Sequence, residues 1–269
     1  MRMSYLYKNI ATLGTAAVLA GGMAFNASAA TTTAGTFTVD PDSNAATLNS
    51  FDANLINGTA SSLLTVTSPT TISGTGWIDF TAFALNSLNV GVGTSGLGLD
   101  YGLYATYDYT TTIVSGALGS PFDAVVDSLT YTLWLDPGLG STFIAGDAIN
   151  GIVADVTADG DVVQLGTGSL ISGLAGFNAQ GGAYFNAQTT LELTDPDGPA
   201  FFVDPDPFYG VAFEQFNNTG QGIATSGNLI SLNQAAGGVD FNAVPEPATL
   251  ALLGMGLFGI GATMRRRQS

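Results

Sequence analysis

Apolar and polar positions alternate along much of this chain. In the stretch LDYGLYATYDYTTTIV, the odd positions are Leu99, Tyr101, Leu103, Ala105, Tyr107, Tyr109, Thr111 and Ile113. Between them come Asp100, Gly102, Tyr104, Thr106, Asp108, Thr110, Thr112 and Val114. A period of two places one set on each face of a β-strand, so this is a long strand with one tyrosine-rich apolar face. VVDSLTYTLWLD repeats the pattern, with Val125, Leu129, Tyr131, Leu133 and Leu135 predicted on one side. In AYFNAQTTLELT, Phe185, Ala187, Leu191 and Leu193 oppose Tyr184, Asn186, Gln188 and Glu192. Further strands are predicted at 35–39, 63–67, 75–85, 161–170, 208–216 and 228–232. Amphipathic helical patterns are scarce, and Gly, Asn, Asp and Pro punctuate the strands. The expected fold is all-β: a two-sheet antiparallel β-sandwich with one polar face per sheet.

Charge divides the chain into three parts. Of its 269 residues, the five cations are Arg2, Lys8, Arg265, Arg266 and Arg267, and there is no His or Cys. All 21 carboxylates lie between them. At the start, a basic segment precedes an apolar run from Ile10 to Met23 and the small-residue sequence Ala27-Ser28-Ala29. That order reads as a secretory signal peptide over 1–29, cleaved after Ala29. Residues 30–243 are then the exported domain, working outside the cytoplasm. At the other end, Ala248 to Met264 is a 17-residue segment without charge. As a helix it spans about 25 Å, enough for a short transmembrane helix. Arg265, Arg266 and Arg267 follow as a cytoplasmic stop.

The exported part excludes much chemistry. Without His, Cys, Lys or Arg it lacks the usual general bases, thiol nucleophiles, zinc–histidine sites and phosphate clamps. It has no cation with which to neutralise nucleic-acid phosphate. No enzymatic activity is expected. The competing reading is a carbohydrate-active enzyme with paired carboxylates, for which Asp79, Asp100, Asp108, Asp127 and Glu192 are the strand-borne candidates. No cofactor is required, but calcium is a candidate ligand because it takes six to eight oxygens. Asp195, Asp197, Asp204 and Asp206, in two Asp-Pro-Asp turns, are the best-placed ligands. Tyr104, Tyr184, Asn186 and Gln188 are candidates for an exposed sugar-binding face.

The tail Pro245-Glu246-Pro247, an apolar helix over 248–264 and the Arg cluster 265–267 together resemble the PEP-CTERM sorting signal, here residues 244–269. The resemblance implies processing by an exosortase, a membrane-embedded cysteine protease of Gram-negative bacteria. It implies transient anchoring through the C-terminal helix, then passage to the cell surface or extracellular matrix. The prolines keep the motif extended and the helix separate from the body, which suits presentation to a protease.

The body carries a second resemblance. GTFTVDP (Gly35 to Pro41), TSGLGLDYGLYATYDYT (Thr94 to Thr110), YTLWLDPGLGSTF (Tyr131 to Phe143) and FFVDPDPFYGVAFEQFNNTGQ (Phe201 to Gln221) occur in this order. Together they are similar to the flocculation-associated PEP-CTERM proteins. That similarity implies a non-enzymatic surface or matrix protein that promotes flocculation or biofilm cohesion with exopolysaccharide. A purely structural matrix protein is the third reading.

Overall fold

The computed structural model describes residues 34–41 and 48–242. The signal peptide with Ala29, the carboxylate Asp42, and the tail with its motif, helix and arginines lie outside the described residues. Among the described residues no helix is long and apolar enough to cross a membrane.

In chain order the strands are β1 (Phe37–Val39), β2 (Phe51–Ala53), β3 (Leu55–Val66), β4 (Thr71–Leu85), β5 (Leu88–Asn89), β6 (Gly102–Gly116), β7 (Phe122–Asp136), β8 (Thr142–Ile144), β9 (Asp155–Thr157), β10 (Val163–Phe177), β11 (Ala183–Thr190), β12 (Glu192–Leu193), β13 (Phe202–Asp204), β14 (Val211–Asn217), β15 (Ile223–Ser226) and β16 (Leu229–Asn242). Among the described residues the helices are two one-turn pieces, α1 (Val92–Ser95) and α2 (Asp197–Phe201).

The body is all-β and antiparallel, but it is a barrel and not the expected sandwich. Around the barrel the strands run β3, β4, β6, β7, β10, β11, β14 and β16, and β16 pairs back to β3. Closure is completed where Leu170–Phe177 of β10 pairs with Ala183–Thr189 of β11. Each barrel strand neighbours the next barrel strand in sequence, so the topology is up-and-down. Alternation specifies that one face is buried. It does not specify whether that face meets a second sheet or the far side of its own, and this sheet curls onto itself. Bulges near Asn57/Gly58, Thr110/Thr111, Leu170 and Leu232 break the register. Such bulges supply the bending that closure needs.

The predicted parity of β6 holds: Leu103, Ala105, Tyr109, Thr111 and Ile113 are buried. In β7 it holds only from Leu129 onward. Thr110 pairs with Ser128 but Thr111 pairs with Val126, leaving Asp127 as the extra residue of a bulge. The phase therefore flips. Phe122, Ala124 and Val126 face inward, and Val125, expected inside, is 38 % exposed.

The interior has two clusters. One end of the barrel is closed by Phe37, Val39, Phe51 and Phe202 from the small sheet β13-β1-β2, packed on Phe83, Leu135 and Phe241. Phe37 makes edge contacts with Phe83, Phe202, Phe208 and Phe241 at centroid distances of 5.2–6.5 Å. The other end holds Leu64, Ile72, Tyr109, Ile113, Phe122 and Leu129. Outside, Thr112 donates to Asp127 at 2.7 Å, and the hydroxyls of Thr110 and Ser128 are 2.6 Å apart. Beside these polar pairs the outer face also exposes Val114, Val125, Ile171 and Leu174.

Candidate functional site

The outer wall of β10, β11, β14, β16 and β3 forms a broad groove of about 1180 Å³. Register builds its floor. Leu174 pairs with Asn186, Asn186 with Gln215, Gln215 with Gly238, and Gly238 with Asn57. Val125 pairs with Leu174 at the β7 end. The next row runs Ser172, Gln188, Phe213, Asp240. These residues alternate with the inward set, so their side chains share the outer face. The groove thus carries two apolar residues and the carboxylate of Asp127 at its β7 end, primary amides through its middle, and a half-buried Phe213 ring paired with Asp240. Burial raises the Asp240 carboxyl above its ordinary range, opposed by the amide of Asn242, which donates to it at 3.0 Å. Primary amides both donate and accept, and an aromatic face adds apolar contact, so the groove can hold a polyhydroxylated chain.

Of the residues nominated from sequence, Asn186 and Gln188 lie in this groove. Tyr184 is on the same outer face, where its hydroxyl donates to Asp123 at 2.7 Å. Tyr104 does not belong to an exposed face. It is 2 % exposed, because the β8–β9 ribbon folds over it. Phe143 of that ribbon sits edge-on to Tyr104 at 5.5 Å, and Trp134 stacks beside it at 6.4 Å. The ribbon is held by Trp77, whose indole donates to the Ile144 carbonyl at 2.8 Å.

The calcium candidates sit in turns. Asp195 and Asp197 flank Pro196 at the start of α2, while Asp204 ends β13 and Asp206 follows it. Among the described residues no three or more His, Cys, Asp or Glu side chains gather where they could hold a metal ion. The strand-borne acids are likewise dispersed. Asp108 accepts from Thr75 and Asp127 from Thr112, Glu192 and Asp100 are exposed, and burial raises the Asp79 carboxyl above its usual range.

Sequence reasoning missed one group inside the barrel. Glu214 of β14 is 8 % exposed and shares the inward face with Ala212 and Phe216. The Thr189 hydroxyl donates to it at 3.3 Å. Desolvation pushes its carboxyl up to about 7, and the Thr189 hydrogen bond opposes that rise. Alternation in VAFEQF carries no signal for it, because Val211 and Phe213 make the opposite phase equally apolar.

Comparison with known proteins completes the picture. Residues 243–267 match the family described as the PEP-CTERM protein-sorting motif. The chain is therefore an exported barrel protein carrying an exosortase sorting signal, with a transient C-terminal membrane anchor. No curated protein and no solved structure matches the chain.

Proposed function

We propose that the sorted barrel is a non-enzymatic surface or matrix protein that binds exopolysaccharide along its outer groove and so promotes flocculation or biofilm cohesion. The observation that carries this reading is the cross-strand row Asn186, Gln215, Gly238, Asn57 with Phe213 beside it. A row perpendicular to the strands repeats every ~4.8 Å, which gives an extended polymer successive hydrogen-bonding positions. The similarity of four body segments to flocculation-associated proteins supports the same role. Calcium enters as a bridge. The body presents 20 carboxylates and no cation between residues 30 and 243, so divalent ions would link its surface to anionic polymer.

The test is deletion of the gene followed by settling and polymer-retention assays. Complementation with the wild-type gene restores both, and complementation with Asn186→Ala/Phe213→Ala/Gln215→Ala restores neither, although the variant is exported. Equal rescue by the two genes would leave the groove without this role.

A further inference from the structure

Glu214 stands at the junction of two lumen cavities, of about 70 Å³ and about 20 Å³. Ile78, Tyr107 and Glu214 line both. The larger extends toward Leu64, Ile72, Tyr109, Phe185 and Phe216. One water needs only ~10–15 Å³ and a benzene ring a cavity of about 150 Å³, so the larger chamber has room for a guest of roughly three or four heavy atoms.

The chemistry of the chamber is one-sided. A carboxylate offers about four acceptor positions, and Thr189 fills one of them with a long bond. A buried carboxylate also needs a countercharge. This chain cannot supply one, because residues 9 to 264 contain no Lys, Arg or His. The countercharge must come from a proton or from a bound cation. An anion is excluded by like charge, and a purely apolar guest would leave the carboxylate unpaired. The remaining walls are mostly aromatic and aliphatic, with the neutral polar groups of Ser62, Thr111 and Asn218 among them. Tyr107 and Tyr109 lie 6.0 Å apart, and Tyr109 lies 5.2 Å from Phe185. Ring faces of this kind attract cations in a desolvated site.

We propose that the lumen is a binding site for a small apolar amine, whose ammonium group pairs with Glu214 while its hydrocarbon part fills the space among Tyr109, Phe185 and Phe216. The site is separate from the outer groove and does not depend on polysaccharide binding. Tyr107 of β6, Tyr131 of β7 and Tyr109 beyond them are the titratable groups facing Glu214 across the lumen. Burial raises each phenol above its ordinary range, so all three stay neutral. On β16, Val239 is the apolar neighbour of Glu214. On β11, Thr189 is its hydroxyl partner. The carboxyl alone therefore titrates near neutrality.

The experiment titrates ethylamine and isopropylamine into the purified full-length protein at physiological salt, with ethanol and isopropanol as neutral counterparts. Binding is read by calorimetry and by methyl shifts of Leu64, Ile72 and Ile78. At about pH 8 at least one amine saturates a single site and moves those methyls. Its alcohol counterpart binds at least tenfold more weakly. Affinity falls roughly tenfold per pH unit below about pH 7, as the proton displaces the amine. Glu214→Gln weakens the amine at least tenfold. The wild-type pH series and the amine–alcohol ratio answer the same question without any variant. Absence of saturable binding, equal affinity for amine and alcohol, pH-independent binding, or shifts confined to outward methyls would each overturn the proposal.

Discussion

The ring of Tyr131 lies directly across Gly168. The two residues pair between β7 and β10, and a Cβ added to Gly168 would come 2.3 Å from the ring. Beyond the glycine, the Tyr131 hydroxyl donates to the Thr190 carbonyl at 2.9 Å. One phenol thus spans from β7 over β10 to the end of β11. The arrangement recurs. Tyr107 crosses Gly76 and reaches the Ser61 carbonyl at 3.4 Å, while Tyr109 covers Gly74. On the outer face Tyr184 crosses Gly176 to Asp123. Glycine weakens a strand by removing side-chain packing, and here a neighbouring aromatic ring occupies the vacated space.

Substituting these glycines should therefore cost more than their strand position suggests. Gly74→Ala runs into the buried Tyr109 ring, and Gly168→Ala into both the Tyr131 ring and the Thr190 carbonyl, so each is expected to destabilise the barrel by about 1–3 kcal/mol. Gly93→Ala, where an added Cβ meets nothing within 4 Å, should fall within ~0.5 kcal/mol of wild type. Urea unfolding of the three variants checks the contrast.

Glu214 makes stability depend on pH in a defined direction. Its carboxyl is raised in the fold from the ordinary 4.5 to about 7. Below about pH 4.5 it is protonated in both the folded and the unfolded chain and adds no pH dependence. Between about 4.5 and 7 the unfolded chain releases a proton that the fold retains, so stability falls as pH rises. The total loss is about 3 kcal/mol, complete slightly above pH 7. Glu214→Gln removes this slope. The variant should be more stable than wild type at about pH 8 and indistinguishable from it, as far as this site is concerned, at about pH 4. Unfolding free energies measured across that interval check the sign.

Sorting makes a separate prediction. Replacing Pro245, Glu246 and Pro247 by Ala should leave the barrel exported but held in the membrane fraction with its Arg265–Arg267 end intact. Fractionation with intact-mass measurement reads the outcome. Export of a shortened protein by the variant would show that the motif is not the recognition element.

How far the sequence carried the fold depended on where the alternation stayed in phase. β6 and β11 were legible because their inward and outward sets keep one parity through the buried stretch. β7 was legible only beyond Leu129, since the bulge at Asp127 leaves no signature in alternation and reverses Val125 and Val126. Closure into a barrel was not legible either. It depends on β10 pairing with β11 and β16 with β3, and neither pairing changes which residues are apolar. The β8–β9 ribbon buries Tyr104 by a long-range contact that local pattern cannot show. The outward placement of Asn186 and Gln188 was legible because amides alternating with apolar residues on a strand are visible locally. Their partners Gln215, Asn57 and Phe213 come from strands joined only by register. Glu214 was not legible, because both phases of VAFEQF carry apolar residues and alternation alone does not say which one faces inward. The sorting tail was fully legible because its signal is local and linear.

Co-sedimentation of the full-length protein with purified exopolysaccharide tests the central claim most directly. Wild-type protein should pellet with the polymer, and Asn186→Ala/Phe213→Ala/Gln215→Ala should remain in the supernatant at unchanged folding stability. A stably folded triple variant that pellets as completely as wild type would contradict the account.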